Sequence, residues 1–389
     1  MIQMGDTNTI YDADNLDQLY LEYYGRTNLS IPSIQRREIA FSYWGDAKSI
    51  TDRHRYFETD NQLNEFVRKV PRSQLFHSVG YYLDPMPREF AKKSLKNFDL
   101  VFDIDGDSIE GEYFDMVTKM CEHGKSLIDD FLTKDFGIAM KDLRIEFSGK
   151  KGLHVTVLTE RHKNLSKEAR RQLFDYIEGS KVDKGVLFPE KKGYVVAMPN
   201  AKGWRKYARE TIETLLKDTE GKSQEEVKEI ILAWGFPKVR AKKISDLLTQ
   251  PKIRQAVLEG RLSALTSKGE RTLNDLMRIV VRRHNLGLGG CLDRKVTIDQ
   301  HRIFRIPQSL HPKSGFPCLE ITYDDLSNPS AIFDKIKKAV GEDLVTVVLS
   351  EAVTVETDVV HRFERGEHTL PRYLAIASLS KLVYDKSSR

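Results

Sequence analysis

The run Asn97-Phe98-Asp99-Leu100-Val101-Phe102-Asp103-Ile104-Asp105-Gly106-Asp107 alternates apolar residues with aspartates and then meets a glycine. Alternation of period two marks a strand, so residues 101–105 are read as one, with Asp103 and Asp105 on the same face and Gly106 closing it. Two carboxylates on one face repel each other. The remedies are a cation, a basic side chain or open solvent. Two aspartates by themselves fit a solvated strand end as well as a site, but apolar residues on both sides favour a sheet edge that opens into a cleft.

Downstream, residues 112–136 contain no proline, and Met116, Met120, Leu127, Ile128, Phe131 and Leu132 recur at helical spacing. Residues 143–147 and 153–158 then read as two strands joined by the glycine-bracketed turn Ser148-Gly149-Lys150-Lys151-Gly152. The composition shifts after Arg161. Helices are expected over 165–177, 223–234, 238–249, 253–258 and 273–284, all rich in Lys, Arg and Glu. Asn285-Leu286-Gly287-Leu288-Gly289-Gly290 reads as a helix-ending hinge, since the pattern of a phosphate-cradling loop is absent around it. Strands return at 301–306, 317–323 and 344–349. The chain is therefore α/β (α+β), with a β framework that is interrupted and resumed: 1–163 as the first part of one domain, 164–285 as a helical insertion, and 286–389 as the second part and C-terminal region. No internal repeat or low-complexity segment is apparent.

With 389 residues, 40% hydrophobic and 31% charged, the sequence has the composition of a soluble globular protein, which excludes a disordered chain. The net charge of +5 is too small to coat a surface. Any nucleic-acid contact must concentrate its positive charge in one groove. Cys121, Cys291 and Cys318 are odd in number and lack CxxC spacing, which points to a reducing compartment and buried thiols rather than a disulfide framework. No stretch has the ~18 apolar residues of a membrane span, and residues 1–6 lack a basic segment followed by an apolar one. A cytoplasmic location with no membrane contact is expected.

Three elements carry chemistry. The first is the aspartate strand. The second is the turn Ser148–Gly152 followed by His154: two glycines permit close backbone approach, Ser148 and exposed amides donate to an anion, and two lysines add point charges. A basic hairpin with a half-buried histidine is the plainer reading of the same residues. The third comprises Asp293, Arg305 and His311. Arg305 lies in an apolar strand, where a guanidinium needs an anionic partner, either a ligand or a structural carboxylate.

Together, the aspartate strand, the SGxxGxH form of residues 148–154 and the run ending Ser309-Leu310-His311-Pro312-Lys313-Ser314-Gly315 resemble, in order and separation, the signature motifs of the catalytic small subunit of archaeal and eukaryotic DNA primase. The resemblance extends from about Glu38 to about Tyr323 and is closer to the archaeal branch. It implies a primase-type catalytic domain with an RRM-like sheet. It also implies that Asp103, Asp105 and Asp293 bind Mg²⁺ or Mn²⁺, and that Ser148, Lys150, Lys151 and His154 hold the triphosphate of an incoming nucleotide. Arg305 and His311 match positions that contact nucleotide phosphates or sugar, and Glu38 and Arg53 resemble residues of the nucleotide site. Many relatives carry a zinc cluster between the first two motifs. Here only Cys121 and His123 stand there, too few for a tetrahedral site, so no structural zinc is expected.

The implied activity is that of a DNA-directed RNA polymerase of the primosome. It would start from two ribonucleoside triphosphates and extend an RNA primer on single-stranded DNA by two-metal nucleotidyl transfer at the replication fork. The implied partner is a large regulatory subunit, in a heterodimer, that commonly carries an iron–sulfur cluster. Candidate template contacts lie among basic and aromatic residues at 204–207, 238–243 and 278–283, with the solvated face of an amphipathic helix as the plainer reading of each segment. The alternatives are a related repair or primer-extension polymerase and a noncatalytic single-strand-binding subunit.

Overall fold

A computed structural model describes residues 9–43, 49–70, 72–190, 200–266, 270–285 and 287–386, so the reading of residues 1–6 falls outside the described residues. The chain is mixed α/β and divides into two units. The first is assembled from Met1–Gly124, Lys141–Lys167 and Asp293–Arg389, and the second from Lys125–Met140 and Glu168–Leu292. The second unit therefore differs from the 164–285 interval by an extra segment contributed from before it.

In the first unit, eight strands matter to the site: β1 (Ile39–Ser42), β2 (Asp52–Arg55), β3 (Gln74–Ser78), β4 (Leu100–Asp105), β5 (Leu143–Phe147), β6 (Gly152–Val157), β7 (Ile303–Arg305) and β8 (Leu319–Ile321). They form two four-stranded antiparallel sheets, in the orders β7-β3-β1-β2 and β8-β5-β6-β4. The alternation of the aspartate run is realised as read: Phe102 and Ile104 are fully buried, Asp103 is half-buried and Asp105 is exposed. Helix α1 (Tyr113–Ser126) buries Met116, Val117 and Met120. It approaches so closely at Gly124 that a Cβ there would collide with the Leu153 side chain. The helical path then continues through Leu127–Thr133 into the second unit.

The two sheets are tied together by a buried ion pair. Arg37, just before β1, sits 2.8 Å from Asp99, just before β4, with both side chains nearly inaccessible. The guanidinium also donates to the Ser78 carbonyl at 2.5 Å and to the Tyr81 hydroxyl at 2.6 Å, and that hydroxyl donates to Asp99 at 2.9 Å. The pair thereby fixes where each sheet begins relative to the other. Arg37 also holds the Asp99 carboxyl below its usual range, against the upward push of burial.

In the second unit the helices expected from composition are present, among them Lys167–Glu178, Gln224–Ala233, Lys238–Leu248, Pro251–Leu258 and α2 (Glu270–Asn285). A further helix, Trp204–Asp218, was not read from the sequence. Its buried stripe of Trp204, Ala208, Ile212, Leu215 and Leu216 is diluted by seven charged residues on the same helix. Its first residue packs into an aromatic core with Phe131, Tyr207 and His284. The glycine run behaves differently from a plain hinge. After α2 ends at Asn285, with Leu286 outside the described residues, Gly287 caps a one-turn helix, Leu288–Cys291. The glycines allow this because a Cβ at Gly289 or Gly290 would collide with Asn285. Among the described residues no helix is long and apolar enough to cross a membrane.

Removing one member of the Arg37–Asp99 pair leaves the other charged and buried. Asp99→Asn and Arg37→Met are each expected to lower the unfolding free energy by about 3–5 kcal/mol, read from urea denaturation. A change below the error of that measurement in both variants would refute the tie between the sheets.

Candidate nucleotide and metal site

The register of β4 against β6 sets Asp103 opposite His154 and Asp105 opposite Gly152. Asp293 arrives from far downstream: its amide donates to the Asp103 carbonyl at 3.0 Å, and its side chain caps helix α3 (Arg294–Ile298) by accepting from the Lys295 amide. The three carboxylates are thus neighbours. Burial, followed by the negative charges of Asp105 and Asp293, pushes the Asp103 carboxyl up to about 7, with Arg302 opposing. They do not close on one another: among the described residues no three His, Cys, Asp or Glu side chains converge in ligating geometry. Their hard oxygen donors and mutual repulsion nonetheless suit a divalent cation, which would relieve the crowding.

The basic turn is fastened on both sides. Toward the aspartates, the Gly106 amide donates to the Lys151 carbonyl at 2.7 Å, and Lys151 Nζ lies 3.1 Å from Asp107. Toward the third element, Ser314 Oγ donates to the Gly149 carbonyl at 2.5 Å. Gly149 has φ +89°, and a Cβ there would stand 2.6 Å from the Phe316 carbonyl, so this position requires glycine. Ser148 Oγ accepts from the Gly152 amide at 2.8 Å, which leaves its own proton free to donate outward.

Around this turn lies a set of cations. Lys150 is half-buried, and burial together with Lys313 and Lys151 holds its ammonium below the usual range, with Asp107 opposing. Burial, reinforced by Arg305, Lys150 and Lys313, holds His311 well below the ordinary histidine value. Its Nδ1 accepts from the Lys313 amide at 3.2 Å, which puts the single ring proton on Nε2. His154 is pushed down to about 4, chiefly by burial, and stands as a neutral ring with Nε2 3.5 Å from Asp103 Oδ1.

Arg305 lies at the end of β7. Its guanidinium donates to the Leu310 carbonyl at 3.3 Å and to Gln74 Oε1 at 3.0 Å, both uncharged. Among the described residues no carboxylate pairs with it, so the structural-aspartate alternative has no candidate there.

Glu38 and Arg53 form a second cluster, at β1 and β2. Burial raises the Glu38 carboxyl, but Lys93 and Arg53 outweigh it and hold the group ionised below its usual range. Arg53 Nε lies 2.8 Å away and Lys93 Nζ forms a very short contact. Together with His54, Tyr82 and Arg88 they line a cavity of about 140 Å³. No hydrogen bond or ion pair among the described residues joins this cluster to the aspartates.

Sequence reading missed Lys93, Lys313, Arg302 and Gln74. Lys313 stood within the Ser-Leu-His-Pro-Lys-Ser-Gly run and was the one with a signal. Cys121, which with His123 is too little for a zinc site, is a buried free thiol pushed up to about 12 by burial and nearby Asp325. Of the segments considered for template contact, 204–207 turns inward: Trp204 is buried and Lys206 pairs with Asp130 at 2.9 Å.

The DNA primase small subunit family matches residues 102–323, more than half of the chain. The DNA primase small subunit PriS of Methanocella arvoryzae is 27% identical over 384 residues, covering 93% of this chain and 95% of that protein. The PriS of Thermoplasma volcanium is 27% identical over 94% of this chain and 96% of its own length, and that of Haloarcula marismortui 27% over 90% and 92%. Asp103 and Asp105, the turn at 148–152 with His154, and the run from Asp293 to Gly315 all fall inside the matched residues and meet at one end of the paired strands β4 and β6, and the chain accordingly belongs to the DNA primase small subunit family, as a nucleotidyltransferase of DNA replication.

Proposed function

We propose that this chain synthesises short RNA primers on single-stranded DNA, starting from two ribonucleoside triphosphates. One observation carries this reading: a crowded set of carboxylates and a set of cations that have no carboxylate partner among the described residues meet at the same end of the paired strands β4 and β6. A nucleoside triphosphate with its divalent cation supplies the opposite charge to both sets at once.

In this reading Asp103, Asp105 and Asp293 hold Mg²⁺ or Mn²⁺. Bound there, such ions neutralise developing charge on the transferred phosphoryl group and favour ionisation of the attacking 3′-hydroxyl. The rest falls to the chain's own side chains. Arg305 offers a planar fork to the phosphates, Lys150 and Lys313 add point charges, and Ser148 and His311 Nε2 donate neutral hydrogen bonds. His154, neutral beside Asp103, keeps that carboxylate available without competing as a cation. Glu38 and Arg53 contribute from the neighbouring sheet by orienting the sugar or base. The subunit naming of the relatives supports a heterodimer with a large regulatory subunit, acting at the replication fork in the cytoplasm.

Primer synthesis on single-stranded DNA without a supplied primer, with the large subunit present, tests the activity. Product from ribonucleotides on bare template is expected, and strict dependence on a primer sinks the reading. Asp103→Asn with Asp105→Asn is expected to abolish synthesis while template affinity stays equal or rises slightly, as judged by fluorescence anisotropy. Retained synthesis would remove the metal assignment.

The raised Asp103 pKa gives a pH dependence of stability. Because the carboxyl titrates near 7 in the folded chain and near 3.8 when unfolded, its ionisation destabilises the fold progressively as pH rises between those values. In chelator, Asp103→Asn should raise the unfolding free energy by about 1–3 kcal/mol at pH 8 and by almost nothing at pH 4. Adding Mn²⁺ at pH 8 should raise the melting temperature of the unsubstituted chain only. An equal effect of the substitution at both pH values would contradict the crowding.

Lys151 already pairs with Asp107, whereas Lys150 has no such partner among the described residues. Lys150→Ala should therefore raise the apparent nucleotide KM by about tenfold, the loss of one charge-assisted hydrogen bond. Lys151→Ala should raise it less, and neither should weaken DNA binding comparably. Equal losses of nucleotide and DNA affinity would move these residues to the template.

A further inference from the structure

The chain's net charge of +5 is unevenly divided. The helical unit carries 27 Lys and Arg against 19 Asp and Glu, while the unit holding the aspartates carries 35 against 38. Positive charge is therefore a property of the helical unit alone, and on α2 it is ordered. Arg271, Arg278 and Arg282 are separated by seven and four residues, which puts them on one helical face, and all three are exposed.

Two features distinguish this face from an ordinary solvated one. Its arginines retain free donors: Arg278 gives one nitrogen to Asp275 but its side chain stays 72% exposed, and Arg282 pairs with no carboxylate among the described residues. Asp275, the nearest acid, is already engaged by Arg240 as well. The same two arginines also border a cavity of about 530 Å³ floored by Gly179, Met277 and Val281, with Asn285 at its edge. Gly179 packs so tightly there that a Cβ would stand 2.6 Å from the buried Trp204 ring and 3.0 Å from Val281. Beside it, Arg283 lies over the half-buried Trp234 ring at 4.5 Å.

Cationic forks flanking a recess with apolar side chains fit single-stranded nucleic acid: phosphates engage Arg278 and Arg282, and one unstacked base enters the recess against Met277 and Val281. We infer that this face of α2 is a docking surface for the single-stranded DNA template, independent of sequence. The inference rests on the reading of the chain as a template-directed enzyme and names where on the helical unit the strand is held.

The test uses the full chain and a fluorescently labelled oligothymidylate, with binding followed by anisotropy across a salt series. Arg282→Glu, and Arg278→Gln with Arg282→Gln, should weaken binding by at least about threefold. The double variant should also lower the slope of log affinity against log salt by about 1.4, or about 0.7 for each lost phosphate contact. Arg282→Lys should restore most of the affinity. In primer synthesis the variants should raise the template concentration for half-maximal rate and leave the rate at saturating template unchanged. Unaltered affinity and salt slope would overturn the inference, as would loss of large-subunit binding with DNA affinity intact. Neither outcome touches the aspartate assignment, which Asp103→Asn with Asp105→Asn tests separately through synthesis.

Discussion

Everything chemical in the first unit depends on the register of β4 against β6. Side chains alternate along a strand, so a slip by one residue would turn Asp103 and Asp105 into the face where Phe102 and Ile104 are now completely buried. That alternative is costly, and the ladder is also held from outside. At one end Gly106 bonds to the Lys151 backbone, and at the other the Arg37–Asp99 pair fixes the start of β4 against the first sheet. The third element gains its position from the same sheet, through Asp293 on the Asp103 carbonyl of β4 and Ser314 on the Gly149 carbonyl of the β5–β6 turn. Residues far apart in sequence thus meet because each bonds to the backbone of one sheet.

Within that end of the sheet, charge is divided by type of group. Both histidines are held neutral by burial, His154 near 4 and His311 well below the ordinary histidine value, so neither adds a cation near pH 7. An imidazolium at His154 would pair with Asp103 at 3.5 Å and occupy the carboxylate that a divalent ion needs. Positive charge is left to Arg305, Lys150 and Lys313. Arg305 remains cationic even though burial lowers it, because a guanidinium starts so high. Neutral donors and cations therefore gather on one side, while the negative side is crowded enough to raise Asp103.

Much of this was legible in the sequence because it is local. Alternation gave β4, glycine bracketing gave the turn between β5 and β6, and periodicity gave α1 and most helices of the second unit. Arg305 was marked by a guanidinium inside an apolar run, and among the described residues it hydrogen-bonds only to the uncharged Leu310 carbonyl and Gln74. What escaped was contact at a distance. Lys93 reaches Glu38 across 55 residues and Gln74 reaches Arg305 across 231, and no local pattern announces either. Trp204–Asp218 escaped for a different reason. Its first residues read as a candidate template contact or, more plainly, as one face of an amphipathic helix, and Trp204 is buried while Lys206 pairs with the buried Asp130. Lys125–Met140 was assigned to the wrong unit because α1 runs on without a break, and a continuous helix carries no boundary signal.

The modest net charge of the whole chain is a difference between unlike parts. An acidic catalytic unit is suited to holding divalent cations but repels a polyanionic template over the same distances, and the repulsion is only partly screened at physiological salt, where the Debye length is about 8 Å. In the proposed template-directed reaction, a helical unit rich in lysine and arginine would supply the attraction that the acidic unit lacks. The two requirements are opposite in sign, so one surface cannot meet both. Placing them on separate units satisfies each, and the sum, read from composition alone, conceals both.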